Sequence, residues 1–404
     1  MSARSRLLVF LVSAPLVALV VVGGSLGAGA TTTLPQQHVS HLGVFQDVLG
    51  FIRSAYVEEV NIDKVMDGAM RGLADGLDPS STFLTAEDVR ALQAAGTGPT
   101  GEVGLIVTRW GYYLRVLGVR DGSPAARAGL ATNDFIRSID DRPTRDLSGL
   151  TGTRLLRGAP GTRVSLLVFR GGNPADTHRV DLVREAGKPD RVAGRRLPGG
   201  ESYVRISSFG PGAVAAIERS VASLGAPAKN GLIVDLRGTA DGTAEEGIAA
   251  ARLFVQNGTL ATLAARNNPP VVSSAAKGDG ALAMPVVLLT SNGTANGAEV
   301  FAAALQGNKR ARLVGEPTAG IAGVQKLVPL DEGTGLWMTH ARYLQQDGTP
   351  IHEQGLRPDV AVPVPVVAFD ETPPATDEVL TEGLAELNRL RSPGAAPADR
   401  PSGV

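Results

Sequence analysis

Covalent catalysis needs a nucleophile, a base to take its proton and donors for the charge that develops. This chain offers those residue types sparingly. It has no cysteine, which excludes thiolate nucleophiles, thiolate metal sites and disulfides together. His38 and His41 fall in an amino-terminal linker, His178 in a β-rich segment, and His340 and His352 towards the carboxyl end, none with a serine beside a matched acid. The pairs Glu245-Glu246 and Asp331-Glu332 read as a helix start and a turn. No spacing resembles a metal site, so neither metal nor other cofactor is expected. One stretch, residues 285–330, does have the form of a nucleophile-presenting turn. A β-branched run from Val286 to Thr290 reads as a buried strand, and the steps Asn292-Gly293 and Asn296-Gly297 break it into a tight loop. A helix follows, with Ala298, Val300, Phe301, Ala304 and Leu305 at helical spacing. Strand, tight loop and helix is how α/β enzymes present a nucleophile at the carboxyl end of a sheet. The side chain presented here is Asn296, an amide.

The elements around this turn sort by texture. At 404 residues the chain can hold two or three domains. Fifty glycines, 26 prolines and 4% aromatics point to many tight turns around small aliphatic cores. A formal net charge of −1 offers no basic face, so nucleic acid is not an expected partner. Residues 1–30 carry Arg4 and Arg6, an apolar run over 7–22 and the stretch Ala28-Gly29-Ala30. That is a secretory signal or, if uncleaved, a membrane anchor, and either places the remainder outside the cytoplasm. Residues 31–40 read as linker and 41–95 as helical, with Phe45, Val48, Leu49, Ile52 and Tyr56 on one face and Asp78-Pro79 as a turn. A Gly/Thr/Pro linker then leads into short strands and two short helices. Residues 189–201 read as a Gly/Pro/Arg hinge, after which strands alternate with helices, the pattern of a sheet covered by helices. A carboxyl-terminal amphipathic helix carries Val379, Leu380, Leu384, Leu387 and Leu390, followed by a Pro/Ala/Gly-rich tail.

The run from Gly122 to Asp140, G-S-P-A-x-x-A-G-L-x-x-x-D-x-I-x-x-I-D, closely resembles a PDZ domain. Such a module adds an extended peptide as a strand and holds its terminal carboxylate with backbone N–H groups. The matching carboxylate loop is Glu102-Val103-Gly104-Leu105, and Leu105, Ile106 and Val107 would pair with ligand while Leu150, Arg154 and Leu155 line the groove. Glu102 stands where the family prefers glycine.

The chain as a whole resembles the carboxyl-terminal processing peptidases, tail-specific serine peptidases with an inserted PDZ domain. The matches run through Leu77-Asp78-Pro79, the PDZ string, Tyr203 to Phe209, Gly231 to Arg237, Thr339 to Tyr343 and Gly355 to Val360. The resemblance implies an α/β (α+β) multi-domain fold: signal or anchor over 1–30, helical region over 31–97, PDZ domain over 98–186, a ClpP/crotonase-like core over 187–367, and helix with tail over 368–404. It also implies a periplasmic or cell-envelope location, with anchoring to the inner membrane through residues 7–22 if the signal stays, and partners that are protein or peptide carboxyl termini or unfolded exported proteins.

In that family the turn carries a serine nucleophile, a later loop carries the lysine base, and a glutamine follows the lysine. A lysine serves as base only when desolvation lowers its pKa. Here the turn reads Thr294-Ala295-Asn296-Gly297-Ala298-Glu299 and the loop Thr318-Ala319-Gly320-Ile321-Ala322, with Gln325 retained. The serine position is Asn296 and the lysine position Ile321, at the family's own separation. The oxyanion region maps to Asp241, Gly242 and Gly297, with Asp241 replacing a glycine. The reading that follows is a pseudopeptidase that binds peptides without cutting them. Its rivals are an active peptidase with a relocated dyad, for which Ser291 and Lys326 are the candidates, and a structural scaffold of the cell envelope.

Overall fold

In the computed structural model the described residues are 36–94, 101–171, 173–186, 192–225, 231–369, 371–372 and 374–392. The apolar run over 7–22 lies outside them, as does most of the Pro/Ala/Gly tail. Among the described residues no helix is long and apolar enough to cross a membrane. The chain divides after Met66 into two units. The first holds the helix Gln36–Ala55 and the start of Ile62–Asp75. That first helix begins earlier than the sequence suggested, so His38 and His41 sit on a helix and not in a linker.

The second unit contains two β-rich layers with a helix between them, and a separate six-strand sheet. Its central sheet runs Val192–Arg196, Ser202–Ile206, Leu232–Asp235, Val286–Thr290, Ala311–Gly315, Val360–Ala361. The first pair is antiparallel and every other pair parallel. Val286–Thr290 lies in the middle and is buried at all five positions, as expected for a β-branched run covered on both faces. A second sheet joins Thr82–Leu84, Gly335–Leu344, Thr259–Ala265 and Asn268–Ser274, with Gly323–Pro329 branching from Gly335–Leu344. Between the sheets lies the helix Gly297–Gly307, its Val300, Phe301, Ala304 and Leu305 all buried. The opposite face of the central sheet is closed by Glu378–Arg391, whose Val379 and Leu387 pack on Ile233, Val287, Leu289 and Val314. This is where the apolar stripe of the carboxyl-terminal helix goes.

The third sheet, order Leu105–Trp110, Tyr113–Val119, Phe135–Ile139, Arg163–Phe169, His178–Val183, is wholly antiparallel. Ser123 caps the helix Pro124–Arg127 by accepting the Ala126 N–H, and Ser148 caps Gly149–Leu156 by accepting that of Thr151. Two sequence readings need correction. The supposed hinge over 189–201 contains the edge strand Val192–Arg196, which the backbone ladder to Ser202–Ile206 holds whatever its side chains. The helical amino-terminal region is interrupted by the strand Thr82–Leu84, fully buried against Gly335–Leu344.

Candidate functional site

The loop after Val286–Thr290 is stitched into its surroundings by the main chain. Ser291 Oγ accepts the N–H groups of Gly238 (3.1 Å) and Gly293 (3.2 Å). Thr294 Oγ1 accepts from Ser291 N and donates to Leu236 O at 2.8 Å. Ala295 N donates to Thr239 O (2.9 Å), and Asn296 N donates to Ile321 O (3.0 Å). The turn is thus clamped between residues 236–240 and 318–321. At its tip Asn296 has φ 52° and ψ −124°, a sharp and sparsely populated conformation of the kind that lifts a side chain above a sheet. Its side-chain Nδ2 donates to Ala240 O at 2.7 Å. Among the described residues the following N–H, of Gly297, makes no hydrogen bond. It is a free donor at the start of an eleven-residue helix, the place where an oxyanion would be held. Gly297 is fixed by packing, since a Cβ there would lie 2.2 Å from Thr243 O.

The structure therefore brings Asn296 and Ile321 together, as the matched spacing requires. Gln325 meets Asn296, though not Ile321, at a cavity of about 260 Å³ whose wall also includes Gly242, Val324 and Tyr343. Gln325 Nε2 donates to Thr339 Oγ1 at 3.1 Å. The side chain of Ile321 packs into a small apolar cluster with Leu117, Ala240 and Ala295. No proton acceptor is supplied from that position. Asp241 does not point a charge at the turn unopposed. Its carboxylate lies 3.6 Å from the Arg120 guanidinium, which also grips Glu102. That pairing matches, within the module, the charge that Glu102 brings to the carboxylate loop.

The loop carrying Ile321 hangs on one buried carboxylate. Glu299 is fully buried, and it accepts the Thr318 hydroxyl, Gly320 N (2.7 Å) and Ile321 N (2.7 Å). Burial outweighs those three donors and pushes its pKa from the usual 4.5 up to about 7. In the sequence Glu299 is only the last residue of the turn string 294–299. It lies in the first turn of the helix, and nothing in the local sequence signals the loop that it holds.

Ser291 and Lys326, the candidates for a relocated dyad, stand in other surroundings. Ser291 is occupied as a turn acceptor and opens into a different, larger cavity of about 960 Å³. Lys326 is exposed on Gly323–Pro329 and lines neither cavity. The sequence also missed one serine near a histidine and an acid. Ser81 Oγ donates to Asp78 Oδ2 (2.8 Å), and His352 Nε2 stands 3.9 Å from Asp78 Oδ1. The hydroxyl bonds the acid and not the imidazole, and all three are buried or nearly so, which is the wrong order for a triad. Burial raises the Asp78 carboxyl, but the neighbouring His352, the Ser81 hydroxyl and the Ser80 N–H outweigh it and bring it down to about 2.

The PDZ-like sheet leans directly on this turn. Thr132 Oγ1 donates to Leu117 O (3.1 Å), and a Cβ on Gly293 would meet that same carbonyl at 2.2 Å. The side chain of Ile106, on the strand expected to pair with ligand, packs with the Ile321 cluster. The guanidinium of Arg154, expected to line the groove, pairs with Asp88 at 3.1 Å. Leu155 packs on the module's own core. Val103, Leu105 and Val107 are buried inside that core, and Leu150 is half-buried at the start of its helix.

An inserted PDZ sheet, a helix-covered parallel sheet and an elbow between them are the marks of a tail-specific peptidase scaffold. Residues 201–362 match the family model of peptidase family S41, and 115–170 match that of a PDZ domain. A carboxy-terminal-processing protease of Bartonella bacilliformis is 30% identical over 346 residues, covering 83% of this chain and 78% of that one. A carboxyl-terminal-processing protease of Synechocystis is 32% identical over 339 residues, covering 80% and 79%. A solved photosystem II D1 C-terminal processing protease superposes with a TM-score of 0.67 at 27% identity, covering 85% of this chain and 90% of that one. The chain belongs to the carboxyl-terminal-processing protease family.

Proposed function

We propose that this protein is an exported pseudopeptidase that binds polypeptide carboxyl termini without hydrolysing them. The observation that carries the reading is the pair Asn296 and Ile321. The elbow, the free Gly297 N–H and the neighbouring cavity are kept, while the two side chains that would attack and accept a proton are an amide bonded to Ala240 O and an isoleucine in an apolar cluster. An amide nitrogen delocalised into its carbonyl does not attack peptides. Relatives named for carboxyl-terminal processing support carboxyl termini as the ligand class. The basic residues and apolar run over 4–22 support export. The relocated dyad is disfavoured by the engagement of Ser291 and the exposure of Lys326. The test is turnover of an unfolded, carboxyl-terminally tagged polypeptide by the purified chain. None is expected, whereas clear turnover that Ser291→Ala abolishes would refute the proposal.

A further inference from the structure

Four Asn-Gly steps occur in the chain, and one of them forms the tip of the elbow. Asparagine followed by glycine can cyclise when the glycine nitrogen reaches the side-chain carbonyl carbon. Around the Cα–C bond the substituents of an L-residue sit a third of a turn apart. A ψ of −124° at Asn296 therefore brings Gly297 N almost into eclipse with the Asn296 Cβ, the arrangement a five-membered ring requires. Ordinary backbone conformations avoid that eclipse. The Gly297 N–H has no hydrogen bond to break, and it lies in the first turn of a helix, whose positive end favours loss of its proton. The side chain is held at its far end by Ala240 O, and it borders the 260 Å³ cavity through which water can reach it.

We infer that Asn296-Gly297 is a self-modification site, at which the folded chain closes a succinimide that water then opens to aspartate or isoaspartate. Gly297 N gives its proton to solvent and bonds to the Asn296 Cγ. The Cγ–Nδ2 bond breaks and Nδ2 leaves as ammonia, taking a proton from solvent. Water then adds across either ring C–N bond, with no change of oxidation state. The elbow geometry that presents a nucleophile in related enzymes thus presents, with asparagine there, the electrophile of an intramolecular reaction. Ring closure uses up the Gly297 N–H, a free backbone donor of the turn. Opening to aspartate sets a carboxylate oxygen against Ala240 O, where the amide had donated, and loosens the clamp on residues 236–240. The two other described asparagines of this type provide internal controls. Asn257 and Asn292 both have ordinary φ, and the N–H of Gly293 is already bonded to Ser291 Oγ.

The test is peptide mapping by mass spectrometry of the folded full-length chain during incubation at mildly alkaline pH, with a urea-unfolded sample in parallel and hydroxylamine to trap the ring. In the folded chain Asn296 is expected to convert about tenfold faster than Asn257 and Asn292, the rate advantage of having one backbone residue already fixed. Hydroxylamine should cut the folded chain after residue 296, and Asn296→Gln should remove that cut. Unfolding should bring the three sites to similar rates. Equal rates in the folded chain, an amide that persists at Asn296 while the others convert, or a preference that survives unfolding would each overturn the inference.

Discussion

Replacing Glu299 by glutamine tests how the site is held, and its effect should change with pH. The carboxyl is completely buried, and its pKa lies near 7 instead of 4.5. Folding therefore favours the protonated form. The stabilisation is fully present below about pH 4.5, falls as pH rises, and is gone above about 7, where the native state carries a buried charge. A shift of that size corresponds to about 3 kcal/mol across the window. Glutamine keeps the shape and stays neutral throughout. It cannot accept all three donors, since one carboxylate oxygen becomes an NH₂ facing the N–H of Gly320 or Ile321, at a cost of about 1–3 kcal/mol. At about pH 5 the variant should be the less stable protein, and by about pH 8 it should match or exceed the wild type. Urea unfolding followed through Trp337 and Trp110 fluorescence at several pH values measures this. Parallel pH profiles for the two proteins would refute both the burial argument and the sign of the shift.

Three further outcomes follow from neighbouring contacts. Asn296→Ser combined with Ile321→Lys should restore peptidase activity where neither change alone does, because the Leu117, Ala240 and Ala295 surroundings would desolvate the lysine and depress its pKa; a fluorogenic peptide assay reads this. Arg170→Ala should destabilise the PDZ-like sheet by about 3–5 kcal/mol in thermal unfolding, because it leaves the fully buried Asp134 carboxylate without its bidentate partner. Gly118→Ala should lift that sheet from the core, since the new methyl would lie 2.4 Å from Gly238 O, and hydrogen exchange over residues 238–240 should accelerate.

The elbow was legible in the sequence because its parts are local. A β-branched run buried on both faces can only be a central strand, and the small and apolar positions from Ala298 to Leu305 fit one helix between two sheets. The meeting of Asn296 with Ile321 also followed from spacing within one stretch of chain. What escaped was set by partners far away in sequence or by backbone alone. Val192–Arg196 has no strand-like pattern, because an edge strand with exposed side chains is held by its main-chain ladder. The capture of Arg154 by Asp88, of Glu102 by Arg120 and of Ser81 by Thr339 N joins segments whose adjacency no periodicity encodes. Glu299 could be placed on a helix face, but three converging donors become visible only once the 318–321 loop is folded against it.

The elbow is expected to bind a polypeptide terminus without cutting it. The most direct measurement mixes the purified full-length chain with a polypeptide bearing a free carboxyl terminus, isolates the complex and weighs the bound polypeptide by mass spectrometry. Recovery of the intact polypeptide, with an amidated terminus binding more weakly, is the predicted result. Shortened polypeptide in amounts exceeding the protein present would contradict it.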